Sequence, residues 1–227
     1  MAMSVISAGS RPARLAARAM CSCTASSRSA GISPVVIALA IGSRVRRRHP
    51  LPTLWLMTDE RQGDRLWPAL RALPRGSGVI VRHYSLGKAA RRALIARIRR
   101  IARRRRLVMV VAGPEKLALA TRADGYHARS SHIGSPMLLR TAAVHNLAEL
   151  RLAERVGADL AFLSPVYATT SHPGGRAMGR RRFGLIARQS RVPIVALGGI
   201  DEERAQSLEP FGIYGWAAVG ALTPSGS

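Results

Sequence analysis

At 227 residues with 47% hydrophobic content, the chain is long enough to bury the core of one large domain with an appendage. A formal net charge of +24 points first to nucleic acid or an anionic membrane, but Lys88 and Lys116 are the only lysines, so 34 of the 36 basic residues are arginine, the pattern of a genome favouring arginine codons. Aromatics at 4% leave little for base stacking and no apolar run reaches membrane-span length, which disfavours nucleic acid as a partner and excludes a membrane.

Residues 1–49 carry eight arginines and no acid among many serines, alanines and glycines, so they read as a disordered extension unable to bury enough surface to fold alone. Ala38-Leu39-Ala40 is similar to a signal-cleavage site, yet the polar stretch before the apolar run is too long for an ordinary secretory signal. Cys21 and Cys23, separated by one residue, make neither a metal motif nor a disulfide framework.

From residue 50 to 227, short apolar runs alternate with helical patterns. Candidate strands are Leu54–Met57, Val79–Val81, Leu107–Val111, Ala123–His127, Leu139–Val144, Leu160–Leu163, Pro193–Ala196 and Tyr214–Val219. Leu94, Ile95, Ile98 and Ile101 recur at helical spacing around the basic run Arg97–Arg106, which predicts an amphipathic barrel helix with a solvated basic face. Leu150, Ala153 and Val156 predict another helix over Ala148–Val156. Eight strands with intervening helices imply an α/β fold, a single-domain (β/α)8 TIM barrel. An open doubly wound sheet is the alternative, although no Gly-x-Gly-x-x-Gly fingerprint is present.

Two strand-plus-loop units carry the chemistry: Phe162 to His172, reading FLSPVYATTSH, and Val192 to Ile200, reading VPIVALGGI. Each apolar run ends in small or hydroxyl residues that suit an oxyanion, and the Gly198-Gly199 pair lets backbone approach a phosphate closely. Gly198-Gly199 can also be only a tight turn, but Gly220 after the last strand favours a phosphate site, since barrel phosphate sites form after strands seven and eight.

These two segments, with Leu54–Asp59, Ala123–His127 and Ala143–Glu149, resemble the thiamine phosphate synthase and TenI superfamily, in the family's order across most of 51–223. The resemblance implies a cytoplasmic thiamine-biosynthetic transferase that joins a thiazole phosphate to an aminopyrimidine carried as its pyrophosphate, with Mg2+ holding the pyrophosphate. By position, Thr169, Ser171, Gly198, Gly199, Val219 and Gly220 would bind the thiazole phosphate, and Arg82 and His172 would face the leaving pyrophosphate. The family's carboxylate positions read Ala112-Gly113-Pro114 and Ser130-Ser131-His132 here, so no metal ligand is assigned. Arg129 or Arg140 would then supply compensating charge.

His145 matches the proton-transfer histidine of the TenI branch, which opens a second reading as a metal-independent thiazole tautomerase. His127 reads as structural. A third reading is a non-catalytic phosphate-ligand or RNA-binding descendant, and a homo-oligomer is compatible with all three.

Overall fold

The computed structural model describes residues 50–129, 135–169 and 176–224, all belonging to the unit 41–227. The predicted extension, together with Cys21 and Cys23, lies outside the described residues. All eight predicted strands form with only their ends shifted: β1 (Leu54–Met57), β2 (Gly78–Val81), β3 (Val108–Ala112), β4 (Gly125–His127), β5 (Leu139–Val144), β6 (Leu160–Leu163), β7 (Ile194–Leu197) and β8 (Gly215–Ala218). Every neighbouring pair is parallel, and β8 pairs back onto β1 through Trp55 and Ala217, so the sheet closes into a barrel and the doubly wound alternative is overturned.

Alternation with period two divides each strand between the barrel lumen and the helical shell. Trp55, Met57, Ile80, Val110, Leu139, Leu160, Phe162 and Val195 fill the lumen. The Trp55 ring meets Phe162 edge-on at 5.3 Å, and its Nε1–H donates to the Pro52 carbonyl at 2.8 Å. Gly78 makes room for that indole, since a Cβ there would overlap the Trp55 ring. Burying such a ring contributes on the order of 3 kcal/mol.

The shell comprises α1 (Leu66–Ala72), α2 (Lys88–Arg105), α3 (Glu115–Thr121), α4 (Leu147–Arg155), α5 (Gly179–Ala187) and α6 (Glu202–Gln206), with 3-10 turns at Glu60–Arg65 and Glu209–Phe211. The basic helix forms as its spacing predicts: Ile95, Ile98 and Ala102 of α2 are buried against β1–β4. Helix α4 starts where Asn146 caps it, its side chain accepting the Glu149 N–H at 2.9 Å.

The end of the barrel opposite the strand C-termini is fixed by two aspartates. Asp124 and Asp159, just before β4 and β6, accept the backbone N–H groups of Met109 and Arg140, each at 2.8 Å. Arg140 is buried at this same end and donates to the Val156 carbonyl at 3.0 Å. As the second residue of β5 it sits far down the strand, so it does not supply charge to the mouth and that expectation is corrected.

Candidate active site

The C-terminal ends of the strands surround two cavities that share Arg129 as a common wall. One, of about 570 Å3, lies over β5–β8 and is bordered by Arg82, Arg129, His145, Thr169, Arg176, Gly198, Gly199, Arg204, Val219 and Gly220. Its single acid is Asp201, so four guanidinium groups make it a cationic space. The other, of about 670 Å3, lies over β2–β5 between Tyr84, Pro114, Tyr126, His127 and Ala143, with Glu115 on its rim.

Glycine is required where the cationic cavity's two loops touch. Gly199 has φ of +62° and lies so close to the Ala168 carbonyl oxygen that a Cβ would collide with it. Gly198 has φ of +97°, and a Cβ there would come within 2.7 Å of Pro165. Gly220 differs, because a Cβ at that position meets nothing within 4 Å and would project into open space. Arg204 secures the loop after β7 by donating to the Gly199 carbonyl at 2.7 Å while lying over the Tyr167 ring.

Arg82 is anchored on β1. Its Nε–H donates to the Thr58 carbonyl at 2.8 Å, and a terminal N–H donates to the Asp59 carboxylate at 2.7 Å. Arg61 binds the other oxygen of Asp59 at 2.7 Å. That hydrogen bond outweighs the upward push of burial and, with the nearby charge of Arg82, holds the Asp59 carboxyl at about 2. Its contribution to stability, about 1 to 2 kcal/mol after solvent screening, is present above pH 3.8 and lost as pH falls toward 2. Thr58 also accepts the Arg82 amide at 3.0 Å and meets His83 Nδ1 at 3.0 Å, so β1 and β2 form one braced rim.

His145 forms a dyad. Its Nδ1 lies 2.8 Å from Glu149 Oε2, and the same oxygen accepts the His145 backbone N–H at 2.9 Å. Burial opposes ionisation of Glu149, but the two hydrogen bonds from His145 outweigh it and keep the carboxyl below its usual range. With Nδ1 held by the carboxylate, Nε2 is the nitrogen left for chemistry. A terminal nitrogen of Arg129 stands 3.4 Å from both ring nitrogens, which places the guanidinium against the imidazole.

His127 is buried between the lumen and the mouth, with Nδ1 2.9 Å from the Thr141 hydroxyl and its ring edge-on to Phe162 at 5.4 Å. Burial, and then the charges of Arg82, His145 and Arg129, pull its value down to about 4. The unfolded imidazole takes up a proton near pH 6.5 that the folded one refuses, so stability is complete above that pH and falls as pH drops toward 4. The expected loss is about 3 kcal/mol, read by urea unfolding across this range. His127→Asn, which keeps a hydrogen-bonding partner for Thr141, should flatten the profile, and an unchanged slope in the variant would refute the assignment.

Arg82, His145, Thr169, Gly198, Gly199, Val219 and Gly220 all line one cavity, while Ser171 and His172 lie outside the described residues. Glu149 was legible in sequence as an acid four residues after His145 at a helix start, a spacing that brings the pair together. Arg176 and Arg204 carry no comparable sequence signal.

The description of thiamine monophosphate synthase fits residues 54–222 of the chain. A thiamine-phosphate synthase of Chloroflexus aurantiacus is 31% identical over 156 residues, which cover 64% of this chain and 72% of that protein. One of Methanococcus vannielii is 30% identical over 113 residues, 47% of this chain but only 55% of its own length. Among solved structures, a thiamine phosphate pyrophosphorylase from Pyrococcus furiosus matches with a TM-score of 0.64 at 25% identity, covering 75% of this chain and 86% of that one.

Proposed function

The chain belongs to the thiamine monophosphate synthase family, and from that membership we propose that its barrel mouth joins a thiazole phosphate to an aminopyrimidine carried as its diphosphate. The observation that carries this reading is the cationic cavity in which Thr169, Gly198, Gly199, Val219 and Gly220 meet, where a phosphate after strands seven and eight finds backbone amides and arginines together. The neighbouring cavity, walled by Tyr84, Pro114 and Tyr126, suits a flat heteroaromatic ring, with Arg129 between the two.

In the coupling, the bond between the pyrimidine methylene carbon and the diphosphate oxygen breaks, and its electron pair leaves with the diphosphate. The thiazole nitrogen lone pair forms the new carbon–nitrogen bond, the nitrogen becomes cationic, and no proton moves. What the protein must stabilise is therefore negative charge on the leaving diphosphate.

Thiamine-phosphate synthases commonly use Mg2+, a hard cation that favours carboxylate oxygens. All twelve acids of this chain lie among the described residues, and those at the mouth are engaged. Asp59 is clamped by Arg61 and Arg82, Glu60 by Ser85, Glu115 by the Ser135 amide, Glu149 by His145 and Asp201 by the Arg204 amide it caps. Among the described residues no three His, Cys, Asp or Glu side chains gather as a metal site. This donor set does not fit Mg2+, and the leaving charge falls instead to Arg129 and Arg82.

A second reading is favoured by the His145–Glu149 dyad, which coupling does not require. In a thiazole tautomerase, His145 Nε2 would remove a proton from one ring carbon and return it at another position, with Glu149 balancing the imidazolium. Both readings describe a cytoplasmic biosynthetic enzyme carried by residues 50–227.

The deciding assay supplies thiazole phosphate and aminopyrimidine diphosphate to the full chain, with Mg2+ or with EDTA. Thiamine phosphate formation that persists in EDTA and is within a few fold in His145→Ala is expected. Absent coupling, with a thiazole carboxylate phosphate tautomerised by the wild type and not by His145→Ala, would transfer the assignment to the tautomerase.

A further inference from the structure

A second basic concavity, of about 480 Å3, lies between α2 and α3, and none of its lining residues borders either mouth cavity. Arg92, Arg99, Arg100, Arg103 and Arg122 surround it over a floor of small side chains. None of these five guanidinium groups is engaged by a hydrogen bond, ion pair or ring contact among the described residues.

Codon preference explains why these residues are arginine rather than lysine, but not why no acid accompanies them. Helix α2 reads KAARRALIARIRRIARRR, without a single carboxylate. Helix α4 of the same chain mixes signs and closes an Arg151–Glu154 ion pair at 2.9 Å. Like charges such as Arg99 and Arg103, four residues apart, each cost a helix a few tenths of a kcal/mol. Arg92, Arg99 and Arg103 fall on one stripe, at spacings of seven and then four residues, a row of about 16 Å at the helical rise. Such a self-repelling row is relieved by an anion with several charges in line.

We propose that the α2–α3 groove binds the phosphate backbone of RNA without reading its sequence. The row is too long for a single phosphate and matches several successive ones. Among the described residues the groove has no aromatic lining, so bases have nothing to stack on and contacts are confined to the backbone. The scarcity of aromatics that argues against base recognition therefore leaves this mode untouched.

The test is fluorescence anisotropy of a labelled oligoadenylate RNA of about 20 nucleotides with the full chain, between 50 and 200 mM KCl. Five contacts give a log–log salt slope near about −3.5, a weakening of about a hundredfold across that range. Arg99→Glu with Arg103→Glu should lower affinity at least about tenfold and the slope to about −2, at an unchanged thermal midpoint. Should charge reversal disturb folding, Arg99→Gln with Arg103→Gln should show the same loss in smaller measure. Equal binding by wild type and variants, a flat salt dependence, no binding at all, or displacement of the RNA by polyglutamate at lower concentration than by unlabelled RNA would each overturn the proposal.

Discussion

Arg129→Gln should slow thiamine phosphate formation by about a hundred- to a thousandfold, the usual consequence of removing one preorganised group facing developing charge. Among the described residues Arg129 is the one arginine bordering both cavities, and it is held against His145 at 3.4 Å rather than neutralised by a carboxylate of its own. In the proposed coupling it would therefore stand where a diphosphate leaving one cavity and a thiazole phosphate in the other both need positive charge. Arg82 is the weaker candidate because Asp59 already balances it at 2.7 Å. The Arg129 side chain is exposed, so the variant should unfold within about 0.5 kcal/mol of wild type. Single-turnover kinetics beside thermal unfolding separate these effects, and a rate loss under about fivefold would remove Arg129 from the proposed chemistry.

Gly199→Ala and Gly220→Ala should behave as opposites although both residues border one cavity. At Gly199 an added Cβ meets the Ala168 carbonyl oxygen in a left-handed backbone, combining conformational strain with overpacking. A loss of about 2 to 4 kcal/mol follows, or roughly 5 to 15 °C in thermal midpoint for a domain of this size. At Gly220 the Cβ enters open space, so the midpoint should hold while thiazole phosphate affinity drops by about tenfold as the methyl group takes ligand volume. Calorimetric titration reads the second effect. A Gly220→Ala protein with unaltered affinity would show that the phosphate does not rest on that loop.

The barrel was legible because each strand is a bounded apolar run, and the cavity-lining glycines after β7 and β8 could be placed at the mouth because each stands within two residues of the end of such a run. Arg140 was not, since a charge in a strand reveals neither which end of the barrel it occupies nor which way it turns. Its place as the second residue of β5 decides both. Asp124 and Asp159 show the same limit: as acids in the chain they resemble reactive groups, yet they precede their strands and serve as backbone clamps. The contact between Arg129 and His145 arises because parallel pairing sets the end of β4 beside the end of β5.

The lumen packing around Trp55, Gly78 and Phe162 has a consequence for how this scaffold can diverge. A solid plug beneath the mouth means that the loops above it share no buried volume with the strands' lower halves. Substitutions of the side chains facing the mouth can then change its chemistry while the packing of the floor beneath them stays as it is.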